Sequence, residues 1–371
     1  MPLGGHMGPP KSLANPWGRT SVSAQVRRAK EETALVKIGK LSMAHVHAPG
    51  YVRQINENPQ AELVAVWDEI PERGQAAADE QGVPFFADLD AFLALDGLEA
   101  VACDATTNLH HDVLLRSIRA GKHVFTEKAL TISTRESDEI VQAVHEAGVK
   151  FMISLPSRCS PEILLLKQVL DEGLIGDVTL MRARIAHSAA LDGWFGGHTL
   201  WFADAEAAGG GALFDLGCHT VDVMRWLMGK PASVISKMNS FTGKYPGVDD
   251  NAVAVVEFES KALGILDVAW VHRAGPNPIE IYGTQGFVGI RGIDGRPFLV
   301  SQDAKYAGMG GQMIVQSLPA ALPGPMQQWI NAITADEPMT ITVEDGRNLT
   351  ELLEGIYRSS TEGKSIDFPL T

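Results

Sequence analysis

The fold class is indicated by the stretch Leu35-Val36-Lys37-Ile38-Gly39-Lys40-Leu41-Ser42-Met43-Ala44. Its pattern predicts an apolar strand that ends at Gly39 and leads into a helix. Residues 62–67 form a second apolar strand that ends at Asp68. This arrangement is the context of a dinucleotide-binding turn, G-x-G-x-x-G/A. Leu41 replaces the second glycine and Ala44 occupies the third position. The motif alone therefore leaves dinucleotide binding and an ordinary strand–helix turn equally open.

Strands and helices alternate from residue 35 to residue 154. Further strands are predicted at residues 85–86, 99–103, 123–126 and 151–154, and helices at 46–55, 75–80, 90–95, 110–120 and 135–147. These strands are apolar without alternation, which predicts a parallel α/β sheet covered by helices on both faces. Ligands of such sheets bind at the carboxyl ends of the strands. The residues found there are Gly39, Asp68, Thr106, Asn108, Glu127 and Lys128.

The second half of the chain has a different pattern. A helix is predicted at residues 161–170, then longer strands at 178–187, 234–240, 252–258, 262–271 and 279–282, then two helices near 325–334 and 345–358. These strands alternate between polar and apolar residues, which indicates an antiparallel sheet. We therefore predict an N-terminal extension at residues 1–32, a dinucleotide-binding domain at 33–156 and a substrate-binding domain at 157–371.

Composition limits the classes of partner. The chain has 371 residues, 45% hydrophobic and 20% charged, with a formal net charge of −14. A charge of this sign argues against nucleic acid and anionic membranes as main partners. The three cysteines lack metal-ligand spacing, which favours a reducing cytoplasmic location. No stretch approaches the roughly 18 apolar residues of a membrane span.

A glycine-rich segment carries the strongest chemical signal. Gly209-Gly210-Gly211 precedes an apolar helical run in which Asp215, His219 and Asp222 fall at i, i+4 and i+7, on one predicted helix face. Lys128 follows a buried strand, where desolvation would lower its pKa into a useful range for acid–base chemistry. Together these residues predict a Lys/Asp/His proton-transfer site. A capping aspartate with a core histidine is the structural alternative, and a metal site at Asp215 and His219 lacks a third ligand.

The loop at residues 187–202 is rich in glycine and aromatic residues, including Trp194, Phe195, His198, Trp201 and Phe202. Such a loop beside a polar site suits stacking on a carbohydrate ring. Anchoring of the loop and contact between subunits remain open as alternative roles.

Four segments in order resemble the Gfo/Idh/MocA family, from about Thr33 onward. They are the strand–turn segment followed by His47, Thr106-Thr107-Asn108-Leu109-His110-His111, Gly121-Lys122-His123-Val124-Phe125-Thr126-Glu127-Lys128, and the triple-glycine helix with Asp215 and His219. The chain departs from the family pattern at Leu41, Thr107, Ala129 and Phe202.

The resemblance implies an N-terminal Rossmann domain with a doubly wound parallel sheet. It also implies a C-terminal α/β domain whose large, mostly antiparallel open sheet forms an oligomer interface, as a dimer or tetramer. The implied cofactor is NAD, and Arg73 near Asp68 leaves NADP possible. No metal is expected. The expected cofactor contacts are Gly39, Leu41, Ser42, Met43, Asp68, Thr106, Asn108, His111, Glu127, Lys128 and Trp201.

The implied activity is NAD(P)-dependent oxidation of a secondary alcohol of a sugar, sugar derivative or cyclitol. His219 would act as the base, Lys128 would stabilise and relay charge at the same oxygen, and Asp215 would orient the substrate. Arg158 and His198 are further expected substrate contacts. Two alternatives stay open. One is a redox-neutral glycosidase that oxidises C3 transiently and eliminates the glycosidic substituent, and the other is a non-catalytic sensor of nucleotide or sugar.

Overall fold

The computed structural model describes residues 35–303 and 313–370. The predicted N-terminal extension, residues 1–32, lies outside the described residues. None of the helices in the described part of the chain combines the length and apolarity that crossing a bilayer needs.

The first sheet has six strands, all parallel, in the spatial order β3-β2-β1-β4-β5-β6. The strands are β1 Val36–Leu41, β2 Ala61–Trp67, β3 Phe85–Phe86, β4 Ala100–Cys103, β5 His123–Thr126 and β6 Phe151–Ile153. The predicted parallel sheet is confirmed. The order reverses between β1 and β4, and this switch point is where such sheets bind ligands.

Five helices connect these strands. They are α1 Ala48–Glu57, α2 Pro71–Gln81, α3 Leu89–Leu93, α4 His110–Arg119 and α5 Thr134–Ala147. The ends of α5 show why they form here. The Ser133 side chain accepts a hydrogen bond from the Glu136 N–H at the start, and Gly148 with φ 64° ends the helix.

The first turn is displaced from its predicted position. Strand β1 continues past Gly39 to Leu41, and Leu41 is fully buried. A Cβ added at Gly39 would lie 2.4 Å from the Phe92 ring, so packing explains this glycine. The predicted end of the strand at Gly39 is therefore wrong, and the cofactor contacts expected of Gly39 and Leu41 stay predictions. The turn begins at Ser42, which has φ 65°, and α1 starts only at Ala48.

The second sheet has nine strands in the order β14-β13-β12-β11-β7-β10-β9-β8-β15. They are β7 Val178–Ala186, β8 Pro231–Asn239, β9 Asn251–Phe258, β10 Leu263–Ala269, β11 Ile279–Gly283, β12 Gly286–Ile290, β13 Phe298–Ser301, β14 Met313–Ile314 and β15 Ile366–Asp367. Only β7 and β10 pair in parallel among the described residues. The expected mostly antiparallel sheet is confirmed, with four strands that the sequence patterns did not predict, β12 to β15.

Helices cover one face of this sheet and leave the other open. The helices that pack on it are α6 Pro161–Asp171, α9 Cys218–Met228 and α11 Val343–Glu362. The same half of the chain also contains α7 Ala189–Asp192, α8 Ala205–Ala208 and α10 Pro325–Ala335, and α10 packs against β1, β5 and β6 of the first sheet. Helix α11 packs against α5, α9 and β8, and so joins the two sheets. On the open face Ile235, Val253 and Val255 are 53%, 48% and 36% exposed.

Candidate active site

A cavity of about 360 Å³ lies between the carboxyl ends of the parallel strands and the segment before α9. Lys128, Asp215 and His219 line it together with His45 and His47. Trp194, Phe195 and Phe202 contribute an aromatic wall. The structure thus brings the three predicted catalytic side chains and part of the aromatic loop to one place.

Lys128 follows β5 and points its ammonium at the segment before α9. Its Nζ donates to the Asp215 carbonyl oxygen at 2.7 Å and lies 3.4 Å from Asp215 Oδ1. Burial lowers the pKa of Lys128, but the neighbouring Cys218, Asp215 and Glu127 raise it more, so the net shift is upward. The predicted lowering is therefore wrong, because the acidic neighbours outweigh desolvation. Lys128 is a stable cation suited to stabilising negative charge.

The triple glycine serves close packing at the start of the Asp215 segment. A Cβ on Gly211 would come within 1.9 Å of the Asp249 carbonyl oxygen. The Asp249 carboxylate accepts from the N–H groups of Gly211 and Leu213, both at 2.9 Å. Residues 213–217 then form a π-helical turn that leads into α9. Such turns often occur at functional sites, and this one presents Asp215 to Lys128.

His219 lies on the first turn of α9 and is half-buried. Burial, assisted by the charge of Lys128, lowers the pKa of His219 to about 4. The imidazole is therefore neutral near pH 7 and able to accept a proton.

Asp222 and Arg158 do not join this site. Arg158 donates to both oxygens of Asp222, from Nε at 3.0 Å and from Nη2 at 2.6 Å. Its Nη1 lies 2.9 Å from Asp345, and the Arg158 side chain is 4% exposed. With its guanidinium bound on both sides, Arg158 cannot contact a substrate, and that prediction is wrong. His198 is exposed and is not among the residues that line the cavity.

Glu127 is the centre of a hydrogen-bond network that the sequence patterns did not predict in full. Its Oε1 accepts from His47 Nδ1 at 2.9 Å and from the Tyr51 hydroxyl at 2.5 Å, and its Oε2 accepts from the Lys128 N–H. Burial works to raise the pKa of Glu127, but the neighbouring histidines and Lys128 bring it well below the usual value. The i, i+4 spacing of His47, which precedes α1 as its N-cap, and Tyr51 within α1 was the available signal.

His45 is a second residue that the sequence analysis missed. Its ring is 3% exposed and lies 5.1 Å from Phe202, centroid to centroid. Burial lowers the pKa of His45 to about 3, so the ring is neutral. The H-x-H spacing of His45 and His47 was its signal in the sequence.

The turn after β1 has features that fit a dinucleotide. The start of α1 has no side-chain cap and no acidic residue in its first turn, so its dipole is free to attract a phosphate. Trp201 Nε1 donates to the Ala44 carbonyl oxygen at 3.1 Å, which attaches the aromatic loop to this turn. Asp68 accepts from the Met43 N–H at 2.8 Å and from Arg73 at 2.7 and 2.9 Å.

The segment after β4 lies at the same edge of the sheet. Thr106 Oγ1 donates to Asn108 Oδ1 at 2.6 Å. His111 Nε2 lies 2.8 Å from Glu139 on α5, so this ring is paired with a carboxylate. The cofactor contacts expected of these three residues stay predictions.

The family follows from comparison with known proteins. Residues 38–155 match the family described as "Oxidoreductase family, NAD-binding Rossmann fold". Residues 163–288 match the "GFO/IDH/MocA C-terminal domain". The chain belongs to the Gfo/Idh/MocA family. This oxidoreductase therefore has an NAD-binding Rossmann domain, and the resemblance inferred from the motifs is confirmed.

Relatives within the family act on sugars and cyclitols by name. The chain is 28% identical to a 1,5-anhydro-D-fructose reductase of Ensifer adhaerens, over 67% of this chain and 73% of that protein. It is 28% identical to a scyllo-inositol 2-dehydrogenase (NAD(+)) of Bacillus subtilis, over 69% of this chain and 72% of that protein.

Solved structures share the fold. The WlbA dehydrogenase of Bordetella pertussis, in complex with NADH and UDP-GlcNAcA, has a TM-score of 0.77 at 23% identity, covering 91% of this chain and 100% of that one. A levoglucosan dehydrogenase in complex with NADH and L-sorbose has a TM-score of 0.77 at 20% identity, covering 90% of this chain and 99% of that one.

Proposed function

We propose that this Gfo/Idh/MocA protein is a dehydrogenase that oxidises a secondary alcohol of a sugar, sugar derivative or cyclitol. The observation that carries the proposal is the meeting of a cationic Lys128 and a neutral His219 at one cavity. Oxidation of an alcohol needs an acceptor for the hydroxyl proton and a positive group near the same oxygen. Bound NAD supplies the acceptor for the hydride that leaves the carbinol carbon.

Each residue has a separate role in this scheme. His219 takes the hydroxyl proton, since its imidazole is unprotonated near neutral pH. Lys128 donates a hydrogen bond to the oxygen and stabilises the negative charge that develops as the proton leaves. Asp215 holds the Lys128 ammonium through its carbonyl oxygen, and its partly exposed carboxylate accepts from substrate hydroxyls.

The lining of the cavity favours an uncharged carbohydrate. No arginine is found among the described residues that line it, and arginine is the usual partner of carboxylate and phosphate groups. Trp194 and His187 lie 4.6 Å apart, centroid to centroid, and Trp194 is 55% exposed. The exposed indole offers a flat apolar surface to the C–H face of a sugar ring.

We expect NAD rather than NADP as the preferred cofactor. Arg73 lies at the end of β2, where it could meet a 2′-phosphate. However, Asp68 and Glu69 both pair with its guanidinium, at 2.7 and 2.8 Å. Two carboxylates outnumber the one guanidinium, so the region at the end of β2 is net negative and disfavours the 2′-phosphate of NADP.

The domain roles and the assembly belong to the same proposal. Residues 33–156 would bind the cofactor, and residues 157–371 would bind the substrate and a second subunit. The open face of the nine-stranded sheet supports subunit contact, because Ile235 and Val255 pair across β8 and β9 on its exposed surface. Light scattering of a Val255→Asp variant should show smaller particles than the parent. Equal mass for the two proteins would contradict an interface there.

An absorbance assay for reduced nicotinamide tests the activity. Purified protein with NAD or NADP is offered free sugars, cyclitols, sugar acids and glycosides, while mass spectrometry follows the sugar products. NADH formed with a neutral sugar or cyclitol supports the proposal. Glycoside cleavage without NADH would indicate the redox-neutral glycosidase instead. If neither NADH formation nor a sugar product is detected and no nucleotide binds, the proposal is overturned in favour of a sensor.

A further inference from the structure

The helical segment that carries Asp215 begins with three backbone N–H groups whose acceptors lie outside it. The first N–H groups of a helix have no acceptor within the helix, so another part of the chain or solvent must supply one. Gly211 and Leu213 both donate to the Asp249 carboxylate at 2.9 Å. Ala212, between them, donates to the Asp249 carbonyl oxygen at 2.8 Å. One residue of another loop therefore fixes where this segment starts.

Tyr357 on α11 holds the buried Asp249 side chain in turn. Its hydroxyl donates to Asp249 Oδ1 at 2.5 Å and accepts from the Gly211 N–H at 3.1 Å. A Cβ on Gly210 would lie 2.1 Å from the Tyr357 hydroxyl oxygen, just as one on Gly211 would collide with Asp249. Two of the three glycines thus make room for the Asp249–Tyr357 pair.

Hydrogen bonds lead from Asp249 to the ammonium of Lys128 without a break. The Gly211 carbonyl oxygen accepts from the Asp215 N–H at 2.9 Å, and the Asp215 carbonyl oxygen accepts from Lys128 Nζ at 2.7 Å. Asp249 is not among the residues that line the cavity, so it can act on a substrate only through this segment. Misplacing a catalytic group by about 1 Å can lower a rate about 100-fold.

We propose that Asp249, held by Tyr357, is a positioning residue that fixes Asp215 and, through it, the ammonium of Lys128. The catalytic consequence rests on the proposed dehydrogenase function. The carboxylate is needed because it offers two acceptor oxygens to two N–H groups. Asparagine has nearly the same size, but it offers one acceptor oxygen and an NH₂ group that can only donate. Asp249→Asn therefore leaves one N–H of the segment facing another donor.

Asp250 provides a matched control. It is also buried, and its carboxylate accepts from the backbone N–H groups of Phe241 and Thr242 at 2.6 and 2.9 Å. These groups belong to the connection between β8 and β9 and not to the segment that carries Asp215. A purely structural role for Asp249 predicts the same result for Asp249→Asn and Asp250→Asn. A positioning role predicts that only Asp249→Asn lowers turnover per folded molecule.

Steady-state kinetics and urea unfolding measure the two effects separately. Asp249→Asn should lower kcat about 100-fold and leave the KM for NAD unchanged, because the turn after β1 is not altered. Tyr357→Phe removes one donor to Asp249 but keeps the carboxylate, so kcat should fall about fivefold. Asp250→Asn should lower the urea midpoint as Asp249→Asn does, with kcat per folded molecule equal to that of the parent.

A crystal structure of Asp249→Asn tests the positioning without any turnover. The distance from Lys128 Nζ to the Asp215 carbonyl oxygen should exceed about 3.5 Å, the limit of a hydrogen bond, instead of 2.7 Å. If the parent oxidises no alcohol, the dehydrogenase function fails, and this distance still decides whether Asp249 positions Lys128.

Three results would overturn the proposal. They are an unchanged distance in that crystal structure, equal losses of kcat in Asp249→Asn and Asp250→Asn, and full turnover in folded Asp249→Asn protein. Circular dichroism establishes whether each variant is folded. If Asp249→Asn does not fold, unchanged kcat in Tyr357→Phe has the same weight.

Discussion

Asp215 and Asp222 belong to one continuous helical segment, and each binds a cation from the region of the parallel sheet. The Arg158–Asp222 pair is closed on all sides, with side chains 4% and 2% exposed. The Lys128–Asp215 pair opens to the cavity, and the Asp215 side chain is 17% exposed. Arg158 meets its carboxylate through two short bonds, whereas Lys128 lies 3.4 Å from Asp215 Oδ1.

The difference separates a structural ion pair from a functional one. A buried pair that uses all its hydrogen bonds within the chain has nothing left to offer a ligand. Lys128 and Asp215 keep unused donor and acceptor capacity that faces a cavity, and His219 lies on the same wall. Four changes would test this distinction.

Lys128→Met is expected to have the largest effect. It removes the positive charge beside the reacting oxygen, which should lower kcat/KM by about 1000-fold. NAD affinity should change less than about threefold, because the cofactor turn after β1 is untouched. Steady-state kinetics and a fluorescence titration with NADH measure the two quantities. Turnover equal to that of the parent would show that Lys128 has no catalytic role.

Arg158→Met should act on stability instead. It leaves the Asp222 carboxylate buried and unpaired, which we expect to lower the free energy of unfolding by about 3 kcal/mol. Urea unfolding measures the loss, and activity per folded molecule should be retained. The double variant Arg158→Met with Asp222→Leu should recover most of the stability. A large loss of kcat in folded Arg158→Met protein would show that Arg158 does act in the active site.

The pH profile should report His219. Burial lowers its pKa to about 4, so the base is protonated only below that pH. With respect to this group, kcat/KM should stay level down to about pH 5 and fall about tenfold per pH unit below about pH 4. His219→Gln should remove this limb together with most of the activity. If kcat/KM of the parent instead falls below about pH 6.5, the ordinary pKa of histidine, the imidazole is not desolvated as described.

Asp345→Asn should have the smallest effect. Asp345 is the third partner of Arg158, and its side chain is 23% exposed. Removing its charge leaves the bidentate bond to Asp222 in place, so the loss in unfolding free energy should be about 1 kcal/mol. Thermal unfolding beside Arg158→Met gives the comparison. A loss as large as that of Arg158→Met would mean that Asp345, although partly exposed, contributes as much to stability as the Arg158–Asp222 pair.

Several features of the site were predictable from local patterns. The alternation of apolar strands and amphipathic helices predicted the parallel sheet, because the two periods differ. Lys128 could be placed at the end of β5 because polar residues follow the apolar run there. The i, i+4 spacing of Asp215 and His219 placed both side chains on one helix face, which indicated a common site.

Other features depended on long-range contacts. Strand β1 passes Gly39 because the Phe92 ring packs against that glycine, 53 positions away in the sequence. The role of the triple glycine depends on Asp249, whose carbonyl oxygen closely approaches Gly211. Neither neighbour can be identified from local sequence.

The amino-acid sequence alone established the family, the two kinds of sheet and the catalytic candidates, since periodicity and motif spacing are local properties of the chain. Tertiary structure decided how each ionisable group is tuned. Burial alone would lower the pKa of Lys128, as it does for His219, yet Asp215 and Glu127 reverse its direction. Tertiary structure likewise removed Arg158 from the site by closing it against Asp222. Electrostatic interactions depend on distance in space, and only the folded chain sets those distances.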